Sequence, residues 1–248
     1  MPYSDPREPH ARALRDYHEG ARTATIIVHS DLGEHEELPV AIFFRGADEM
    51  FPFERAALEL CRGRVLDVGA GTGVHSLYLQ ERGHDVVAID LMAELVEIMR
   101  ERGVRDARAI GVHEAIATWE DEKFDTILMM MNGIGILGTL GGLDDFLAKV
   151  GWLLEPGGQI LLDSGPANIV GDAEEAAEVA RAEEGRYPGE AWIELEYAGE
   201  KGPPFRELYA DSETLSERAE TAGWRVEIAY REGFGGYVAR LTELRSPR

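Results

Sequence analysis

From position 64 onward, apolar and polar residues follow two alternating rhythms. Short, nearly unbroken apolar runs at 65–68, 85–90, 124–131 and 159–163 have the length and content of strands buried on both faces of a parallel sheet. Between them apolar residues recur at helical spacing. Val74, Leu77 and Tyr78 mark a helix over 74–82 ended by Gly83, and a second helix over 92–102 closes at Gly103. Leu143, Phe146, Leu147, Val150 and Leu154 mark a third, which stops at the turn signal Glu155-Pro156-Gly157-Gly158. A short strand is predicted near 107–110, followed by I-G-V-H-E-A-I, which places His113 in a loop. Strand and helix in alternation predict an α/β protein built on a parallel sheet with crossover helices.

Two regions break the rhythm. In the segment at about 165–211, an acidic, alanine-rich stretch (172–184) reads as a surface helix, and 191–197 with 205–209 read as a hairpin around 199–204. A helix over 212–223, capped by Asp211 or Ser212, and two strands at 224–231 and 237–244 then close the chain. Residues 1–63 hold an amphipathic start (11–20), a strand-like T-I-I-V-H and the aromatic patch Ile42-Phe43-Phe44-Arg45. The predicted organisation is an N-terminal cap or lid segment over 1–63 and a main domain over 64–248 with a helix-plus-hairpin insertion.

Composition narrows the partners. A chain of 248 residues, 44% hydrophobic, can bury the core of one good-sized domain. Its net charge of −22 argues against DNA or RNA, because phosphate binding needs a basic surface. Only Lys123, Lys149 and Lys201 are lysines, a bias that suits a protein kept soluble at high salt or an ordinary acidic bacterial protein. The single cysteine, Cys61, excludes an internal disulfide, fits a reducing cytoplasm and reads as a small buried apolar residue. The seven histidines show no metal-ligand spacing, so no metal is predicted. Residues 126–143 carry no charge, but five of the eighteen are glycine, and a buried strand followed by a glycine-rich loop is expected rather than a membrane span.

Candidate chemistry centres on R-V-L-D-V-G-A-G-T-G-V-H (64–75), where a strand runs into alternate glycines. The dinucleotide fingerprint G-x-G-x-x-G would need a glycine at Val74, and no Gly-Lys-Ser/Thr follows, which excludes a phosphate-cradling P-loop. Asp67, two residues before Gly69, would repel a pyrophosphate yet suits a ligand bearing an ammonium.

The chain here resembles the class I S-adenosylmethionine-dependent methyltransferases. The resemblance rests on V-L-D-V-G-A-G-T-G (65–73), V-V-A-I-D (86–90), F-D-T-I-L-M-M-M-N (124–132) and L-E-P-G-G-Q-I-L-L (154–162), in the family's order and spacing. It implies a Rossmann-like, seven-stranded, mostly parallel sheet with helices on both faces and an antiparallel C-terminal strand. It also implies S-adenosyl-L-methionine as cofactor and S-adenosyl-L-homocysteine as product. Gly69, Ala70, Gly71 and Gly73 would pass close beneath the methionine and ribose moieties. Asp67 would organise the loop's amides or receive the ammonium, and Asp90 would accept the ribose hydroxyls. Leu91 or Met92 would lie against the adenine, and Asn132 would sit at the end of the fourth strand beside the ligand cleft. Family members often carry an acid after the third strand that bonds the adenine amine; here valine takes that place, with Glu114 or His113 as substitutes.

The acceptor is less legible. Asn132 is followed by Gly-Ile-Gly where adenine and glutamine N-methyltransferases have Pro-Pro-Tyr, and Cys61 is not preceded by the proline of cytosine methylation. A small-molecule acceptor under a lid is the expectation. His113 is the candidate general base, His29 and His35 are candidates for the acceptor pocket, and Arg45 is a candidate carboxylate clamp or else a surface ion pair. Tyr17, Phe43, Phe44 and Trp192 read as core. Alternatives are a non-catalytic S-adenosylmethionine-binding sensor or scaffold and a nicotinamide-dependent oxidoreductase; the latter's Tyr-x-x-x-Lys relay is missing, since Arg82 stands four residues after Tyr78.

Overall fold

The computed structural model describes residues 3–33, 35–166, 182, 185–233 and 235–244. The acidic helix expected over 172–184 falls almost wholly outside them. The strands predicted by the apolar runs are present as β3 (Arg64–Val68), β4 (Asp85–Asp90), β5 (Asp106–Ala109), β6 (Phe124–Met129) and β7 (Leu154–Ser164). With β11 (Trp224–Arg231) and β12 (Tyr237–Glu243) they form one seven-stranded sheet in the order β11-β12-β7-β6-β3-β4-β5. Strands β3 to β7 pair in parallel, whereas β12 is antiparallel to both β7 and β11. The strand order reverses beside β3, so the crevice beyond the carboxyl ends of β3 and β6 is the place where such sheets take ligands.

Alternate side chains explain the two layers. Leu66, Ile127 and Ile160 face one side, where they pack with α5 (Val112–Thr118), α6 (Leu140–Lys149) and α7 (Ser212–Thr221). Val65, Leu128 and Leu161 face the other, against α2 (Pro52–Leu60) and α3 (Val74–Glu81). Helix α4 (Ala93–Arg102) buries Val96 and Met99 beside Ala88 and turns Leu95 and Ile98 toward α1 (Glu8–His18). Local signals act where expected: the Asp211 carboxylate caps α7 by accepting from the Glu213 and Thr214 amides, and Gly103 ends α4 in the left-handed conformation. The uncharged stretch 126–143 is β6, a 3-10 turn over Gly133–Leu137 and the start of α6. No helix among the described residues is long and apolar enough to cross a membrane.

The two irregular regions meet in a second sheet. β1 (Thr25–Ser30) pairs with β2 (Glu36–Pro39) and with β8 (Glu190–Tyr197); β8 also pairs with β9 (Glu200–Lys201) and β10 (Phe205–Leu208). The predicted hairpin is therefore the frame onto which the N-terminal strands are added. In contrast, α2 packs on the main sheet, with Ala57 and Leu58 beside Val65 and Leu161. One element differs from its expectation in kind: residues 112–118 form α5, so His113 stands in the first turn of a helix and not in a loop.

Candidate active site

The glycine loop leaves β3 through three left-handed residues, Gly69, Gly71 and Gly73, with φ of 68°, 57° and 81°. The Gly69 and Ala70 amides both donate to the Ile89 carbonyl, at 2.9 and 3.0 Å, which pins the loop to the end of β4. Gly73 begins α3, and a Cβ there would lie 2.6 Å from Val104; a Cβ on Gly71 would meet nothing within 4 Å, because that backbone borders open space. The Thr72 hydroxyl donates to the Phe43 carbonyl, and Arg102 donates to the Thr72 carbonyl at 2.6 Å, so the loop is tied to the N-terminal 3-10 turn (Val40–Phe44) and to α4.

Asp67 is 1% exposed, and its carboxylate accepts the Ser76 hydroxyl at 2.6 Å. It therefore holds the first turn of α3 in place. Burial pushes its carboxyl above the usual range, against the His75 charge and the bonds from Ser76. Asp90 accepts the Gly71 amide on one oxygen and the Met92 amide on the other, both at 3.0 Å. Burial pushes its carboxyl up too, opposed by those two amides. Each oxygen retains a lone pair, so the carboxylate can accept two further donors. Leu91, 58% exposed, projects beside Gly111, and Met92 packs inward against α1 and β1.

Arg45 is no surface residue. Its Nη2 lies 2.9 Å from the Glu54 carboxylate, its Nε donates to the Ile42 carbonyl, and its guanidinium sits over the Phe51 ring at 4.1 Å. Glu54 is 0% exposed and also accepts His75 Nε2 at 2.7 Å and the Phe51 amide at 2.7 Å. Burial raises the Glu54 carboxyl, but these partners more than offset it and hold the group below its ordinary value. Arg45 Nη1 is buried without a hydrogen-bond partner.

Arg45, Asp67, Gly69, Gly71, Thr72, His75 and Asp90 border one cavity of about 740 Å³, between the carboxyl ends of β3, β4 and β6 and the second sheet. Every candidate cofactor residue except Gly73 lines it: Arg45, Asp67, Gly69, Ala70, Gly71, Asp90, Leu91, Met92, Glu114 and Asn132, together with His113. His113 and Glu114 reach it from the exposed first turn of α5. Ile26, Val28, Ile193, Leu195 and Phe205 cover it from the second sheet, so its upper wall is mainly apolar. The sequence reading did not single out the polar groups on this side. They are Arg7, whose guanidinium sits 5.2 Å over the Phe205 ring, His10, Glu36, Glu207 and Tyr209. Burial and the Arg7 charge bring the His10 imidazole down to about 4.

Asn132 bridges the two halves of the wall. Its backbone is left-handed (φ 56°), its Nδ2 donates to Glu207 at 2.8 Å, and its Oδ1 accepts the Ser164 hydroxyl at 3.2 Å. Beneath it, Asp163 accepts the Asn132 and Gly133 amides, each at 3.1 Å. An acid at the end of a strand, like Asp67 and Asp90, was the available signal for Asp163.

Other candidates do not converge. His29 bonds Glu196 at 2.8 Å and stands 6.0 Å from His35, on the second sheet and away from the cavity wall. Tyr17 and Phe44 stack on each other in the α1 core, as expected. Phe43 packs against the same core and also lines the cavity, whereas Trp192, 43% exposed, covers Arg206. Cys61 is buried, which pushes its thiol up to about 12.

The sequence and fold find matching counterparts. Residues 65–158 match a family model described as a methyltransferase domain. A SAM-dependent methyltransferase from Bacteroides fragilis, solved in complex with S-adenosyl-L-homocysteine, is 35% identical, covers 98% of each chain and superposes with a TM-score of 0.82. The chain belongs to the class I S-adenosylmethionine-dependent methyltransferases. The methyltransferase uses S-adenosylmethionine as its methyl donor. Among curated relatives it is 34% identical over 111 residues to a demethylmenaquinone methyltransferase of Clavibacter sepedonicus, covering 44% of this chain and 43% of that protein. It is likewise 34% identical over 111 residues to a ubiquinone biosynthesis O-methyltransferase of Xanthomonas euvesicatoria pv. vesicatoria, covering 43% and 45%. The match to these relatives thus spans less than half of their length.

Proposed function

We propose that this methyltransferase transfers a methyl group to a small, largely apolar molecule by in-line displacement inside the covered cavity. The supporting observation is the cavity itself: about 740 Å³, roofed by apolar strand residues, is a volume typical of small-molecule sites. When bound, S-adenosylmethionine supplies a methyl group activated by a sulfonium centre. The residues present suit it. Gly71 offers open backbone, Asp90 retains lone pairs for a diol, and Arg45, with a buried nitrogen lacking a partner, suits a carboxylate.

In this reading Asp90 receives the ribose hydroxyls, Gly69 and Gly71 admit the ligand against bare backbone, and Leu91 and Met92 flank the adenine with Glu114 or His113 near its amine. Arg45 draws the amino-acid end toward the Glu54–His75 network. The chain's own work is orientation and exclusion of water, which supply much of the acceleration in such displacements. Asp67 contributes by fixing the start of α3.

Calorimetric titration tests the cofactor half. S-adenosylmethionine and S-adenosylhomocysteine should bind and NAD should not; the reverse order would overturn the assignment. Asp90→Ala should weaken S-adenosylhomocysteine binding by about 1–3 kcal/mol, the usual cost of losing hydrogen bonds to a charged acceptor. Unchanged affinity in that variant would remove Asp90 from the ribose contact.

A further inference from the structure

The polar island in the cavity's apolar roof has a geometry of its own. Glu207 stands on β10 and lines the cavity, with no basic side chain within ion-pair distance among the described residues. The Asn132 amide donates to its Oε1 at 2.8 Å, and the Tyr209 hydroxyl is close enough to act on it. A carboxylate accepts about four hydrogen bonds, so these groups leave it unsaturated. Holding such a group in low dielectric with no ion-pair partner in contact is costly.

The glycine run after β6 is shaped around this group. A Cβ on Gly135 would lie 2.6 Å from Asn132 Nδ2, 2.7 Å from Glu207 Cγ and 2.8 Å from Glu207 Oε1. The M-N-G-I-G stretch thus brings the end of β6, which borders the glycine loop, against a carboxylate carried by the second sheet. Glu207 faces the same cavity as Asp90 and the glycine loop, within reach of a molecule lying beside the methyl donor.

Resting on the small-molecule reading above, we propose that Glu207 is the acceptor-binding catalytic base, that Asn132 and Tyr209 orient it, and that the acceptor is a hydroxyl carried on an apolar body. The oxygen–methyl bond forms as the sulfur–methyl bond breaks, the bonding pair returns to sulfur to leave a neutral thioether, and the hydroxyl proton passes to Glu207 and then to water. Burial raises the Glu207 carboxyl, which suits a group that takes up a proton. A hydroxyl is favoured over an amine by its need for a base: the oxygen must lose its proton as the bond to methyl forms, which a carboxylate in this place can take, whereas a neutral amine attacks through its own lone pair and needs no base during the step.

The experiment uses three probes with one carbon skeleton: para-butylphenol, para-butylaniline and butylbenzene. The full chain loaded with S-adenosylhomocysteine is titrated with each by calorimetry, and methyl transfer from S-adenosylmethionine to each is followed by mass spectrometry. The phenol should bind at least about tenfold more tightly than the hydrocarbon and should be the arm that is methylated. Glu207→Gln should lower transfer to the phenol by about a hundredfold or more, with S-adenosylhomocysteine affinity unchanged. Gly135→Ala, which displaces the carboxylate without removing it, should also lower transfer while the cofactor still binds. Phenol binding no tighter than the hydrocarbon, preferential methylation of the aniline, or wild-type transfer by Glu207→Gln would each overturn the proposal. Methylation of the aniline alone would leave the small-molecule reading standing; failure of the wild type to bind S-adenosylhomocysteine would sink that reading instead.

Discussion

Replacing Glu54 by alanine should destabilise the protein by about 3–5 kcal/mol, the cost of stranding a buried charge when its partner is removed. Glu54 is 0% exposed and is the one acceptor shared by Arg45 Nη2, His75 Nε2 and the Phe51 amide. Without it Arg45 would keep a charge in the interior with no carboxylate beside it, its Nη2 left with only the Met131 sulfur at 3.6 Å and its Nη1 unpaired. Urea denaturation near neutral pH measures the effect as a lower midpoint with unchanged slope. A loss below about 1 kcal/mol would mean that water reaches the site and screens it.

The same network separates stability from function. In Glu54→Leu/Arg45→Met both charges are gone, and buried ion pairs replaced by apolar residues often keep their stability. The double variant should therefore recover much of the loss. It should not recover cofactor affinity, because the proposed role of Arg45 toward the cofactor carboxylate disappears with the guanidinium. Recovery of both would make the pair purely structural.

What could be read from the sequence divides along the cavity. Its lower wall is local in the chain: a strand, a turn that needs positive φ and a helix start lie within 64–81, and Asp90 ends the next strand. Such features leave glycines and acids at fixed offsets, so the fold and the cofactor loop are legible in the sequence. The roof is non-local. Ile27 on β1 pairs with Glu196 on β8, and no pattern within either segment announces the other. Glu207 sits in a short strand with nothing around it to mark a site. Gly135 was visible as a glycine, but its reason is the carboxylate opposite, 72 positions along the chain. His113 was misplaced for a local reason. Helix α5 is seven residues long and starts at Gly111 without a side-chain cap, so it carries too little periodicity to be recognised.

Asp163→Asn should remove a pH dependence of stability that the wild type shows between about pH 4 and pH 6. The Asp163 carboxyl is buried, and burial raises it from 3.8 to about 6 against the bonds from the Gly133 and Asn132 amides. The folded state therefore keeps a proton over that window that the unfolded chain has already released. Raising the pH then favours unfolding: the wild type is not penalised below pH 4, loses stability progressively and bears the full cost above pH 6. A shift of roughly two pKa units corresponds to about 3 kcal/mol. Denaturation midpoints of the two proteins, compared from pH 4 to pH 8, should diverge by up to that amount in favour of the variant, and a difference that stays constant with pH would show that Asp163 titrates normally. The reason such a carboxylate persists lies in the loop above it. Met131 and Asn132 are consecutive left-handed residues, a conformation that costs a side-chain-bearing residue about 1–2 kcal/mol. The Asp163 oxygens hold it by accepting the next two amides, while an asparagine would set an NH2 group against one of those donors. The variant should therefore lose methyl transfer, because the turn that aims Asn132 at Glu207 is then no longer held, and the lost bond offsets part of the stability gained at neutral pH.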